Sequence, residues 1–82
     1  MEIKTKYLGA TTYKGARISV NVDGVTKIYP YQYKYNCDEN HFNAGYKALA
    51  DLGKGNNRQY YLNKAFKNGD YESTKTGYIY NI

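Results

Sequence analysis

A chain of 82 residues with twelve tyrosines, no tryptophan and a net charge of +5 has the size of one small domain, and such a chain buries only about 60% of the surface that its unfolded form exposes. A single cysteine, Cys37, excludes an internal disulfide and reads as intracellular, and with His41 as the one histidine the ligands for a structural zinc are missing. Twelve Lys and Arg against seven Asp and Glu favour acidic partners and argue against mimicry of DNA by an acidic surface.

From the start, Ile3, Thr5 and Tyr7 alternate with Lys4 and Lys6, which predicts a first strand ending at Leu8-Gly9. The opening residues lack an apolar h-region and no run is long enough to span a bilayer, so a soluble, cytoplasmic protein without a membrane is expected. Ala10 to Gly15 is a polar connection. Ala16, Ile18, Val20 and Val22 then share one face of a second strand, with Arg17, Ser19 and Asn21 on the other.

Asp23-Gly24 follows directly, a hairpin signal because both central residues of a type I′ turn need positive φ. A two-residue loop sets Val22 opposite Val25, Val20 opposite Lys27, Ile18 opposite Tyr29 and Ala16 opposite Tyr31. A three-residue loop with a bulge would instead turn Ile28 inward and Lys27 out. Pro30 cannot donate to a ladder, so the third strand lies at an edge or its pairing fails there.

Tyr29, Tyr31, Tyr33 and Tyr35 fall at every second position, which puts four rings on one face if the segment is extended. Such a row fills a core, stacks bases or anchors a protein partner. The pairing above argues Tyr29 and Tyr31 toward the core and leaves Tyr33 and Tyr35, past the proline, as the better contact residues.

Asn36-Cys37-Asp38-Glu39 has a capping-box pattern, and Phe42, Tyr46, Leu49 and Leu52 follow at helical spacing until Gly53. Lys54 to Asn57 is a loop. Gln59 to Phe66 fits strand or short helix, Asn68-Gly69-Asp70 is a turn, and Gly77 to Ile82 closes as a strand with Tyr78 and Tyr80 on one face. The order β-β-β-α-(β or α)-β predicts a single small α+β domain over residues 1–82, an antiparallel sheet of three to five strands packed by one main helix.

Catalytic chemistry is not indicated. Cys37 and His41 sit four apart, but nothing orients the imidazole, and a surface or capping histidine is expected. Asp38, Glu39, Asp51, Asp70 and Glu72 lie in turns or at helix ends, where capping accounts for them. Gly53-Lys54-Gly55 is too short for a phosphate loop. No cofactor and no metal are implied. Two binding surfaces remain: partner anchors at Arg17, Tyr31, Tyr33, Lys34 and Tyr35, and a nucleic-acid surface of Lys4, Lys6, Lys14, Arg17, Lys27 and Lys34 interleaved with tyrosines.

Thr5-Lys6-Tyr7-Leu8-Gly9-Ala10-Thr11, Gly15-Ala16-Arg17-Ile18, Ile28 through Tyr33, and Asn40-His41-Phe42-Asn43-Ala44 form a series. It resembles a family of small bacteriophage and mobile-element proteins with T-K-Y-L-x-x-T, G-x-R-I, Y-x-Y and N-H-x-x-A motifs, over roughly residues 4 to 52. The family brings no shared chemistry for the matching Tyr7, Gly15, Arg17, Asn40 and His41. The resemblance implies a noncatalytic protein that inhibits host defence, of anti-CRISPR or antirestriction type, in the cytoplasm of a bacterial host. Its expected partner is a host defence protein or its nucleic-acid complex. Direct nucleic-acid binding is the alternative, and the edge strand also admits a homodimer or a structural, assembly role.

Overall fold

Asp23 and Gly24 turn the chain with φ of 50° and 85°, and the hairpin they close fixes the register of the sheet. The structure, a computed structural model, describes residues 1–55 and 57–82. Strands β2 (Arg17–Val22) and β3 (Val25–Pro30) pair with Val22 opposite Val25, Val20 opposite Lys27 and Ile18 opposite Tyr29, as a two-residue loop requires. Lys27, not Ile28, is therefore on the inner face. It is tolerated because β3 is an edge strand, where a lysine stem can cover apolar surface while its amine reaches water.

The remaining strands are β1 (Glu2–Leu8), β4 (Tyr71–Ser73) and β5 (Gly77–Asn81). All neighbours pair antiparallel in the order β3-β2-β1-β5-β4, so the first strand is central and the last lies against it. Helix α1 (Cys37–Asp51) packs on β1, β2 and β3, and α2 (Asn57–Asn68) packs on α1 and β5. The ambiguous segment 59–66 thus lies within a helix. Of the loop expected over 54–57, Asn56 lies outside the described residues and Asn57 already opens α2. The short β4, which the turn at 68–70 precedes, carries too few residues to show alternation.

Alternation along β1 and β2 sends Ile3, Ile18, Val20 and Val22 inward, where they meet Ala44, Ala48 and Leu49 of α1, Leu62 of α2 and Tyr80 of β5. The α1 face that reaches the sheet is Asn40, His41, Ala44, Gly45, Ala48 and Leu49, with Phe42 and Leu52 on its flank and Tyr46 exposed. Small side chains dominate because they let a helix seat close on a sheet. The opposite sheet face, with Lys4, Lys6, Ser19, Asn21 and Ile28, has no layer over it among the described residues.

Two tyrosines clamp the ends of α1. Tyr29 donates to Asp51 at 2.7 Å, and Tyr78 donates to Asp38 in the first turn. Gly77 allows the closest approach in the sheet, since a Cβ there would overlap the Thr5 carbonyl. Among the described residues no helix is long and apolar enough to cross a membrane.

Candidate interaction site

Pro30 ends β3, and the chain continues pairing for one more step, with the Tyr31 N–H donating to the Ala16 carbonyl at 2.9 Å. It then leaves the sheet through a turn closed by Tyr35 N–H to Gln32 O at 3.2 Å, with Tyr33 and Lys34 at the corner. The four tyrosines therefore do not share one strand face. Tyr29 and Tyr31 pack against the core, Tyr33 is 79% exposed, and Tyr35 is half-buried.

Asn40 holds that turn. Its side chain is buried and accepts from the Gln32 N–H at 2.7 Å, while its amide donates toward the carbonyls of Gln32 (2.8 Å), Tyr35 (3.1 Å) and Asn36 (3.0 Å). Asn36 caps the helix through the Glu39 N–H at 2.8 Å. The helix start and the tyrosine turn are thus one hydrogen-bonded unit. Sequence reasoning missed Asn40. Its signal is a short polar side chain inside the first helical turn, a residue type that competes for backbone groups and is a poor helix former elsewhere.

Three rings join the turn to the sheet. Tyr7 meets Tyr31 edge to face at 5.5 Å and 88°, and Tyr31 meets Tyr33 at 5.2 Å and 62°. Lys34 stands over the Tyr35 ring, 5.1 Å from its centre, a cation–π contact. Lys6 and Arg17 come to the same end of the sheet, opposite Ser19 and Leu8. The loop between β1 and β2 holds Lys14 and the 94% exposed Tyr13 there, folded on Thr11, whose N–H donates to Lys14 O at 2.7 Å and whose hydroxyl accepts from Lys14 N–H at 3.1 Å. The Arg17 Nε donates to Gly15 O at 3.2 Å. Among the described residues Lys6, Lys14, Arg17 and Lys34 have no carboxylate within ion-pair distance.

The structure therefore brings Tyr31, Tyr33, Lys34 and Tyr35 together at one end with Tyr7, while Lys6 and Arg17 reach that end on the open sheet face and Lys14 and Tyr13 lie on the β1–β2 loop. It does not bring Lys4 and Lys27 to them. Lys4 pairs with Glu2 at 3.4 Å and lies two residues further from that end of β1 than Lys6, and Lys27 sits on the inner face of the edge strand.

His41, expected at the surface or as a cap, is instead buried. The helix turns it onto the sheet, where Nδ1 lies 2.7 Å from the Thr5 hydroxyl, whose oxygen also accepts the Tyr78 N–H at 3.2 Å. Its ring meets the Tyr78 ring edge to face at 4.9 Å. Burial lowers its pKa, against a weaker opposing pull from Asp38. Cys37, four residues earlier, is exposed. Comparison with family models, with curated proteins and with solved structures gave no match, so the character of the site rests on its own geometry.

Proposed function

We propose that this is a noncatalytic interaction protein that docks, through its tyrosine-rich basic end, on a host defence protein or protein–nucleic-acid complex and inhibits it. The observation that carries the reading is Tyr33, largely in solvent yet mounted on Tyr31, whose ring packs against the core. A ring held this way loses little conformational freedom on binding, and tyrosine and arginine anchors dominate binding energy in many interfaces. Lys34 beside it lacks a carboxylate partner among the described residues, as do Lys14 on the neighbouring loop and Lys6 and Arg17 on the open sheet face at the same end, and such an end suits a partner with an apolar pocket and an acidic rim. Host defence machinery as the partner class comes from the motif resemblance.

The test is capture from a nuclease-treated lysate of a bacterial host, with the wild-type chain and a Tyr33→Ala/Arg17→Glu variant. A specific protein is expected on the wild type and lost from the variant, whose circular dichroism is unchanged. Failure of the wild type to retain any specific protein overturns the proposal.

A further inference from the structure

Two stretches of the chain carry four cations each and no Asp or Glu, residues 3–22 and residues 52–69, and only the second is built largely as a helix. Between Leu52 and Gly69 lie Lys54, Arg58, Lys64 and Lys67 and no Asp or Glu, which leaves eight cations against seven carboxylates elsewhere. The cations are spread evenly along the chain, but the acids are not. A helix that is charged only for solubility mixes both signs.

Helix α2 is built around this stretch and has two faces. Gln59, Leu62 and Phe66 point to the body: Gln59 donates to Tyr46 O at 3.0 Å, Leu62 is fully buried, and Phe66 stacks on Phe42 at 4.5 Å. Tyr60, Tyr61, Lys64 and Lys67 point to solvent. Tyr60 and Tyr61 are 62% and 48% exposed and touch each other edge to face at 5.4 Å. Lys64 follows them by four and three residues, so it emerges between the two rings on the helix surface. Neither Lys64 nor Lys67 has a carboxylate within ion-pair distance among the described residues.

We propose that this face of α2 binds a single strand of nucleic acid, with Lys64 and Lys67 on phosphates and Tyr60 and Tyr61 stacked on bases. Cations without counter-charges match the backbone, and two adjacent exposed rings match bases, every one of which has a π face. The surface is separate from the tyrosine end. Helix α2 lies on β5 and α1, whereas Tyr31 and Tyr33 follow β3 at the far edge of the strand order. The inference therefore stands whether or not that end docks on a protein.

The experiment is fluorescence anisotropy of a labelled, mixed-sequence single-stranded oligonucleotide of about 15 nucleotides with the full chain, across a salt series of about 50–200 mM. Wild type is expected to bind more weakly as salt rises. Lys64→Ala/Lys67→Ala reduces the slope of log affinity against log salt by about 1.4, roughly 0.7 for each phosphate that a lysine no longer neutralises. Tyr60→Ala/Tyr61→Ala weakens binding by at least roughly tenfold with the slope kept. All four side chains are exposed, so circular dichroism of both variants should match wild type. Absence of wild-type binding overturns the proposal, as do α2 variants that bind like wild type. Poly-glutamate competing as well as the oligonucleotide also overturns it, because the face would then read charge alone.

Discussion

Two groups of tyrosines are built alike and placed differently. Around β5, Tyr71 meets Tyr78 at 5.3 Å and 89° and Tyr80 at 5.3 Å and 48°. At the end of β3, Tyr7, Tyr31 and Tyr33 form a chain with similar separations. The first group lies under helices, with Phe66 of α2 over Tyr71, Asp38 of α1 on the Tyr78 hydroxyl, and Tyr80 fully buried. In the second, Tyr7 lies in β1 and Tyr31 packs against the core, but Tyr33 stands on the turn past the sheet, 79% exposed. Ring-to-ring geometry therefore does not separate a core tyrosine from an exposed one; the layer above it does. The Asp38 hydrogen bond raises the Tyr78 pKa, and burial raises those of Tyr80 and, in the second group, Tyr31.

The largest effect that can break this comparison is the same substitution made in each group. Tyr80→Ala removes a fully buried ring and should cost about 4 kcal/mol, a large share of the stability of so short a chain. Tyr33→Ala should stay within about 0.5 kcal/mol of wild type. Urea midpoints at unchanged m-value measure both, and similar values for the two variants would show that the groups are not distinct. Next in size is Asn40→Ala. It leaves the Gln32 N–H and the Tyr35 carbonyl without their partner, while the Gln32 and Asn36 carbonyls keep a backbone bond each, and should cost about 2–3 kcal/mol. It should also speed hydrogen exchange of the Gln32 amide and weaken any binding that depends on Tyr33. Unchanged exchange there would mean that the turn holds itself.

Much of the sheet was legible because its signals are local. Asp23-Gly24 sets the turn, and the turn sets which side chains of β2 and β3 face inward. Asn36 and Gly53 mark the two ends of α1, with Gly53 at φ of 70°. The buried face of α1 was legible only at Leu49, because the spacing of large apolar residues also selects Phe42 and Tyr46, whereas close packing on the sheet selects Ala44, Gly45 and Ala48. Asn40 and His41 are buried polar groups whose burial depends on partners elsewhere, Thr5 being 36 positions from His41. The segment 59–66 reads as strand or short helix for a related reason. Only Leu62 and Ala65 are fully withdrawn, with Phe66 beside them, too few to establish a period. Tyr33 was legible as an exposed ring because Pro30 stops the strand before it. The acid-free stretch over α2 was also present in the sequence, but it is a pattern of missing residues and a count of lysines does not reveal it.

A smaller effect tests the covered side alone. The unfolded chain offers His41 its ordinary pKa of 6.5, and burial holds the folded value lower, so below about pH 6.5 the unfolded state binds the extra proton. The stability contributed by the neutral ring is complete above that pH and is lost as pH falls through the folded-state value. Thermal midpoints of wild type should therefore fall between about pH 7.5 and pH 5.5, and a His41→Gln variant should show a shallower fall. Wild-type stability that rises on acidification over this range would mean that the ring is charged in the fold.

The smallest effect has the opposite sign. The Tyr80 hydroxyl is buried with no hydrogen-bond partner among the described residues, and a buried hydroxyl without a partner carries a desolvation cost that its hydrogen bonds to water offset in the unfolded chain. Tyr80→Phe keeps the ring and its contacts with Tyr71 and Tyr78 and removes that cost, so it should raise stability by about 0.5–1 kcal/mol. The same change at Tyr78, whose hydroxyl holds Asp38, should lower stability by about 1 kcal/mol. Opposite signs from one substitution at two positions on one face of one strand would show that the helix above each hydroxyl, and not the residue type, decides its worth. A Tyr80→Phe variant less stable than wild type would mean that the hydroxyl does have a partner and that the covered group is more polar than its ring contacts indicate.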